Sequence, residues 1–171
     1  MQKNTQRLII IALLICLEII LTRFLSITTP IVRIGFGFLP IAVAGILYGP
    51  LWAGVAYACG DILGMFIFPS GPYFPGFTLT AFLTGATYGL LLHRISISWS
   101  RIILAVCLVC IVFNLGLDTL WLKILQGDAY LALLPYRAIK CVIMIPVQVF
   151  LIKFFWETVK RLGLTIETMK K

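Results

Sequence analysis

The chain has 171 residues, 61% of them hydrophobic and 12% charged, with a formal net charge of +8 and a mean hydropathy of +1.08. Soluble domains carry roughly 25% charged residues, so a soluble globular protein is excluded and a single-domain integral membrane protein over residues 1–171 is indicated. Lys and Arg punctuate the ends of apolar runs instead of gathering on one soluble face, which argues against nucleic-acid binding.

A bilayer-crossing helix needs about 20 apolar residues, and the pattern yields an all-α, six-helix transmembrane bundle. The first helix runs from about Gln6 to Leu25. Lys3 and Arg7 ahead of it imitate a signal peptide, but the apolar run is long, Glu18 interrupts it and no small-x-small cleavage site follows, so it reads as a retained helix. Ser26-Ile-Thr-Thr-Pro30 ends it, and an extended piece leads through Arg33 to Gly35 and Gly37. The second helix, about Phe38 to Tyr48, is too short to span vertically and carries Pro40; protein must cover its ends. Gly49-Pro50 turns into the third, about Leu51 to Phe68.

The next stretch, Phe68-Pro-Ser-Gly-Pro-Tyr-Phe-Pro-Gly-Phe77, holds three prolines, two glycines and four aromatics. Proline removes donors and glycine permits positive φ, so this segment continues neither flanking helix. It is a structured loop whose aromatics must rest on something flat. The fourth helix runs from about Phe77 to Leu92, the fifth from about Trp99 to Lys123 and the sixth from about Leu133 to Thr158, with a kink expected at Pro146.

Connections after the first, third and fifth helices are long, and those after the second and fourth are short. One face therefore carries the long loops and the other both termini. The termini face holds Lys3, Arg7, Arg94, Arg101, Lys153, Lys160, Arg161, Lys170 and Lys171; the loop face holds Arg23, Arg33, Lys123, Arg137 and Lys140. The positive-inside rule puts both termini in the cytoplasm and the long loops outside. Trp52, Trp99 and Trp156 then fall at the inner interface and Trp121 at the outer one. Small residues four apart, Ala12/Cys16, Gly60/Gly64 and Gly85/Gly89, allow close helix approach in lipid. The last two pairs are expected inside the bundle; the first packs there or faces a partner protein.

Several polar residues stand out. Arg137 and Lys140, three apart, share a face of what reads as the first turn of the sixth helix. Cations at a helix N-terminus oppose the macrodipole, a placement explained if an anion docks there; otherwise the pair is solvated or bonded to Asp128. Asn114 and Asp118, with Thr119 and Trp121, should point inward because polar groups facing lipid are costly. They meet a heterocycle edge or form an interhelical bond. Glu18 and Asp61 read as structural acceptors, and of Thr78 and Thr80 one caps the fourth helix while the other is free for a ligand. Tyr73 reads as a loop anchor. The five cysteines lie in apolar runs, and Cys107-x-x-Cys110 lacks the second pair or His that a metal site requires. With His93 alone and no G-x-x-x-x-G-K-[ST], neither nucleophilic catalysis nor P-loop ATP binding is supported; the chain reads as a non-enzyme without cofactor or metal.

Six short helices, Ala12-x-x-x-Cys16, Tyr48-Gly-Pro50 and the long third-to-fourth loop resemble the S component of an energy-coupling-factor (ECF) vitamin transporter. Phe74-Pro-Gly-Phe-Thr78, Asn114-x-x-x-x-Thr119-Leu-Trp-Leu122 and Leu134-Pro-Tyr-Arg-x-x-Lys140 are similar to the folate-specific S component. The resemblance implies a plasma-membrane subunit that captures a vitamin outside. It would dock through Ala12 and Cys16 on a transmembrane coupling protein joined to two cytoplasmic ATPases, whose ATP-driven action rotates it within the membrane. Folate offers a flat pterin, an aromatic linker and a dicarboxylate. Phe74, Phe77 and Trp121 suit stacking, Asn114, Thr80 and Thr119 suit the heterocycle edge, and Arg137 and Lys140 suit the carboxylates. Arg23 and Arg33 are second-rank anion ligands. Two alternatives stand beside this: the same fold for another vitamin such as riboflavin or thiamine, and a membrane scaffold without a small ligand.

Overall fold

The computed structural model describes residues 2–28, 33–69, 73–93, 97–127 and 130–161. Ser70, Gly71 and Pro72 of the aromatic loop lie outside them, as do Pro30, Arg94, Asp128, Lys170 and Lys171, and the side chains of Lys3 and Arg33. The described chain is helical apart from one short ladder. α1 spans Gln2–Arg23, α2 Phe38–Tyr48, α3 Pro50–Ile67 and α4 Pro75–Leu92. α5, Trp99–Leu108, passes without interruption into a π-helical segment, Val109–Leu117, and then into α6, Asp118–Gln126. α7 is one long helix, Tyr130–Arg161, with Pro135 and Pro146 inside it. The extended piece expected near Arg33 is a two-residue hairpin ladder, β1 (Ile27–Thr28) against β2 (Arg33–Ile34), with Ile27 opposite Ile34.

Four stretches are long and apolar enough to cross a membrane: Asn4–Arg23, Pro50–Ile67, Trp99–Leu125 and Leu134–Lys160. Their outward faces are greasy. Phe66 is 81% exposed and Val142 70%, and Leu51, Ile139 and Phe150 are exposed as well. In water such a surface would drive association; in lipid it is the matched solvent.

The interior has two clusters. The larger gathers Phe38 and Ile46 of α2, Tyr88 and Leu92 of α4, Ile102 and Val106 of α5, Phe113 of the π segment, and Met144, Ile152 and Trp156 of α7. The smaller, Ile11, Ile41 and Ala56, joins α1, α2 and α3. Without a hydrophobic effect between helices in lipid, closeness depends on small residues. At Gly85 an added Cβ would strike the Ala53 carbonyl of α3, and at Gly89 it would strike Pro50. Gly45 meets the backbone of Gly89 at 2.8 Å in the same sense. α2, α3 and α4 therefore touch backbone to backbone.

Gly60 and Gly64 do something different. The place of their absent side chains is taken by the Glu18 carboxylate and the Arg23 guanidinium of α1. Glu18 is only 2% exposed and accepts a hydrogen bond from Thr22 at 2.7 Å. Arg23 donates to the carbonyl of Phe68 at 3.1 Å, where a cation complements the C-terminal end of α3. Phe24 adds an edge-on contact with Phe68 at 4.9 Å.

The turn between α2 and α3 needs its glycine: Gly49 has φ +90°, and Pro50 opens α3 where a missing N–H is harmless. The ring of His93, at the end of α4, lies against Gly49 and donates from Nδ1 to the Ile46 carbonyl at 2.9 Å. The lone histidine thus satisfies a helix end.

Candidate functional site

The site is built where the aromatic loop enters α4. A residue before proline is pushed out of the helical region, and Phe74 is extended ahead of Pro75-Gly76, which begin the helix. Its ring lies over Gly76. A Cβ there would meet Phe74 at 2.5 Å and the Trp121 indole at 2.6 Å, so both rings occupy the space that glycine leaves open. Phe74 and Trp121 are 5.5 Å apart at a 47° tilt, and Phe77 stands edge-on to Phe74 at 6.2 Å. The Trp121 indole N–H donates to Thr80 at 3.0 Å, and the Thr80 hydroxyl donates to the Gly76 carbonyl at 3.1 Å. Phe74, Phe77, Thr80 and Trp121 are thus one cluster joining α4 to α6.

The charged side lies on α6 and α7. Arg137 donates to Thr119 at 3.1 Å and sits 4.0 Å from the Asp118 carboxylate. The shorter contact, to the fully buried Thr119, orients the guanidinium; the longer one supplies charge. Lys140, one turn on, lies within electrostatic reach of both Arg137 and Asp118. Two cations against one carboxylate leave this region net positive.

Two expectations change here. The sequence pattern puts Arg137 and Lys140 in the first turn of their helix, but α7 begins at Tyr130. They sit about two turns further in, beyond the reach of the helix-end dipole. What favours an anion is the local charge excess. The four-residue spacing of Asn114 and Asp118 on the fifth helix assumes a regular α-helical register. The π segment shifts that register: Asn114 lies inside it and donates to the Val109 carbonyl five residues back at 3.4 Å. π-helical turns recur at functional sites, and nothing in the residue pattern signalled this one.

Among the anion candidates of the first outer segment, Arg23 donates to the Phe68 carbonyl at the α3 terminus. Arg33 is located by its backbone in β2. Ala12 and Cys16 lie exposed on α1, beside Leu13 and Leu17.

Neither Thr78 nor Thr80 caps α4 as expected, since Phe74 stands at the cap position without a side-chain cap bond. Asp61 is an acceptor, as its sequence position suggested. Thr78 donates to Asp61 of α3 at 2.8 Å, and its hydroxyl is 3.1 Å from that of Tyr73. The partners of Thr78 are far apart in sequence, so no local pattern announces the relay. A carboxylate in an apolar helix costs about 2.5–3.5 kcal/mol near the bilayer centre and less toward its edges. One hydrogen bond to an ionised group returns about 1.5–3 kcal/mol.

A family profile described as "ECF transporter, substrate-specific component" matches residues 6–155. The chain is 45% identical over 168 residues to a folate transporter, FolT, of Clostridium novyi, covering 98% of both chains. It is 34% identical over 152 residues to a folate transporter FolT of Leuconostoc mesenteroides, covering 85% of this chain and 82% of the relative. A solved structure described as FolT bound with folic acid superimposes with a TM-score of 0.84 at 38% identity, covering 88% of this chain and 92% of the other.

Proposed function

The chain belongs to the substrate-specific components of ECF transporters, and we propose that it captures folate at the extracellular side and delivers it as a transport subunit, not as an enzyme. The observation that carries the ligand is the juxtaposition of an aromatic wall with a net positive patch: Phe74, Phe77 and Trp121 on one side, Arg137 and Lys140 on the other. The relatives named as folate transporters support the same reading.

In this reading the pterin stacks on Phe74, Phe77 and Trp121, and Thr80, Thr119 and Asn114 meet its edge. Arg137 and Lys140 receive the dicarboxylate, with Arg23 and Arg33 as outer anion ligands. Stacking is worth about 1–3 kcal/mol per ring by analogy with nucleobases. A charge-assisted hydrogen bond adds about 1.5–3 kcal/mol. Nanomolar capture needs about 12 kcal/mol net, so several of these groups must act together.

The chain is a single six-helix domain, with both termini in the cytoplasm and its long loops outside the plasma membrane. Ala12 and Cys16 form the docking face for a transmembrane coupling protein, itself joined to two cytoplasmic ATPases. Calorimetry on the detergent-purified protein tests ligand capture: folate titrated into micromolar protein gives saturable heat. Heat no greater than buffer dilution rejects the assignment.

A further inference from the structure

We propose that Asp61 is a specificity-determining ligand group, accepting hydrogen bonds from the donor edge of the heterocycle: the neighbouring ring N–H and amino group of a 2-amino-4-oxopteridine. The proposal rests on the folate reading and adds to it the group that reads the pterin.

Asp61 is half-buried on α3, and its Oδ2 accepts from Thr78 in the first turn of α4. That turn begins at the Phe74–Gly76 aromatic cluster, so the carboxylate stands at the edge of the stacking wall. An ionised carboxylate has about four acceptor positions. One is used by Thr78, and among the described residues Asp61 forms no ion pair. The other carboxylate here, Asp118, already faces Arg137. Asp61 lies within electrostatic range of Asp118, more weakly than Arg137 and Lys140 do.

The pairing order α3–α4–α6–α7 puts Asp61 at one end and Arg137 with Lys140 at the other. A ligand whose heterocycle presents two donors and whose tail carries two carboxylates is polarised in the same sense. Holding Thr78 alone requires no charge; a neutral amide or hydroxyl oxygen accepts that bond equally well. A full carboxylate is suited to two adjacent N–H donors, which it can take in bidentate fashion.

The test is equilibrium binding of three ligands: folate, its 2-desamino-2-methyl analogue, and p-aminobenzoyl-glutamate, which lacks the heterocycle. The wild-type protein should bind folate at least about tenfold more tightly than the desamino analogue, because a site that loses a hydrogen-bonding partner is left with an unsatisfied buried group. Asp61→Asn should weaken folate by a similar factor while leaving p-aminobenzoyl-glutamate, measured by competition, within about twofold, and the preference for the 2-amino group should vanish. Thr78→Val keeps the carboxylate and should preserve that preference. The proposal is overturned if the wild type does not distinguish folate from the desamino analogue, a measurement that needs no variant. It is also overturned if Asp61→Asn and Thr78→Val weaken both heterocyclic ligands equally, which would make Asp61 a loop anchor. A wild-type protein that binds folate and the desamino analogue alike overturns this proposal alone; one that does not bind folate overturns the folate reading beneath it.

Discussion

The indole N–H of Trp121 donates to the hydroxyl of Thr80 at 3.0 Å, across a sequence separation of 41 residues. The bond fixes the plane of the indole relative to α4, so the aromatic cluster of Phe74 and Trp121 is organised by the bundle itself. Trp121→Phe keeps a ring and deletes the donor. Folate affinity should fall by about 0.5–1.5 kcal/mol, roughly two- to tenfold, and Trp121→Ala should cost more, about 1–3 kcal/mol. Calorimetry on the two variants ranks them; equal losses would show that the hydrogen bond contributes all of the effect.

Gly76→Ala probes the same cluster from beneath. The new methyl lands on Phe74 and Trp121, so both rings must move or the helix start must yield. Overpacking of this kind costs about 1–3 kcal/mol. Because the rings are at the helix entrance, the cost should appear in binding more than in the melting temperature. Unaltered folate binding would show that the rings have free space to retreat into.

A contrasting outcome is expected for Gly89→Ala. Here the obstruction is the backbone of Pro50, which has no rotamer to change. Thermal unfolding followed by circular dichroism in detergent should show a clear drop in midpoint, with a destabilisation of at least about 1–3 kcal/mol. A midpoint equal to wild type would mean that α3 and α4 tolerate separation.

For the charged side, Arg137→Ala removes the partner of Thr119 and the nearest cation to Asp118. Leaving a half-buried carboxylate uncompensated is costly, about 3–5 kcal/mol for a fully buried pair, so a companion Arg137→Lys variant controls for stability. Folate should be weakened more than a pterin lacking the glutamate tail. Equal losses for the two ligands would take Arg137 out of carboxylate recognition.

Ala12→Trp addresses docking. Ala12 and Cys16 are exposed on α1, so a bulky residue there should spare folate binding to the isolated protein and abolish ATP-dependent uptake in proteoliposomes containing the partner proteins. Uptake at the wild-type rate would remove this face from the interface.

Much of the architecture is legible from hydropathy, because in lipid every backbone group must be satisfied within a helix and apolar length translates directly into spans. The Gly49-Pro50 turn and the loop ending at Phe74 are legible for a related reason: their residues have few conformational choices. The site is less so. Residue type singles out Phe74 and Trp121, but their meeting over Gly76 joins two helices far apart in sequence. Arg23 stands out in the sequence by its charge alone, and its bond to the Phe68 carbonyl depends on where α3 ends. The π segment around Asn114 departs from a 3.6-residue register that sequence periodicity takes for granted.

The seating of Glu18 and Arg23 in the two gaps at Gly60 and Gly64 works like a two-toothed key. α1 cannot slide along α3, or roll on it, unless both side chains first leave the spaces that Gly60 and Gly64 keep open for them. A force applied to the outward face of α1 is therefore transmitted to α3 as displacement of a single rigid pair, all the way to the Phe68 end from which the aromatic loop departs.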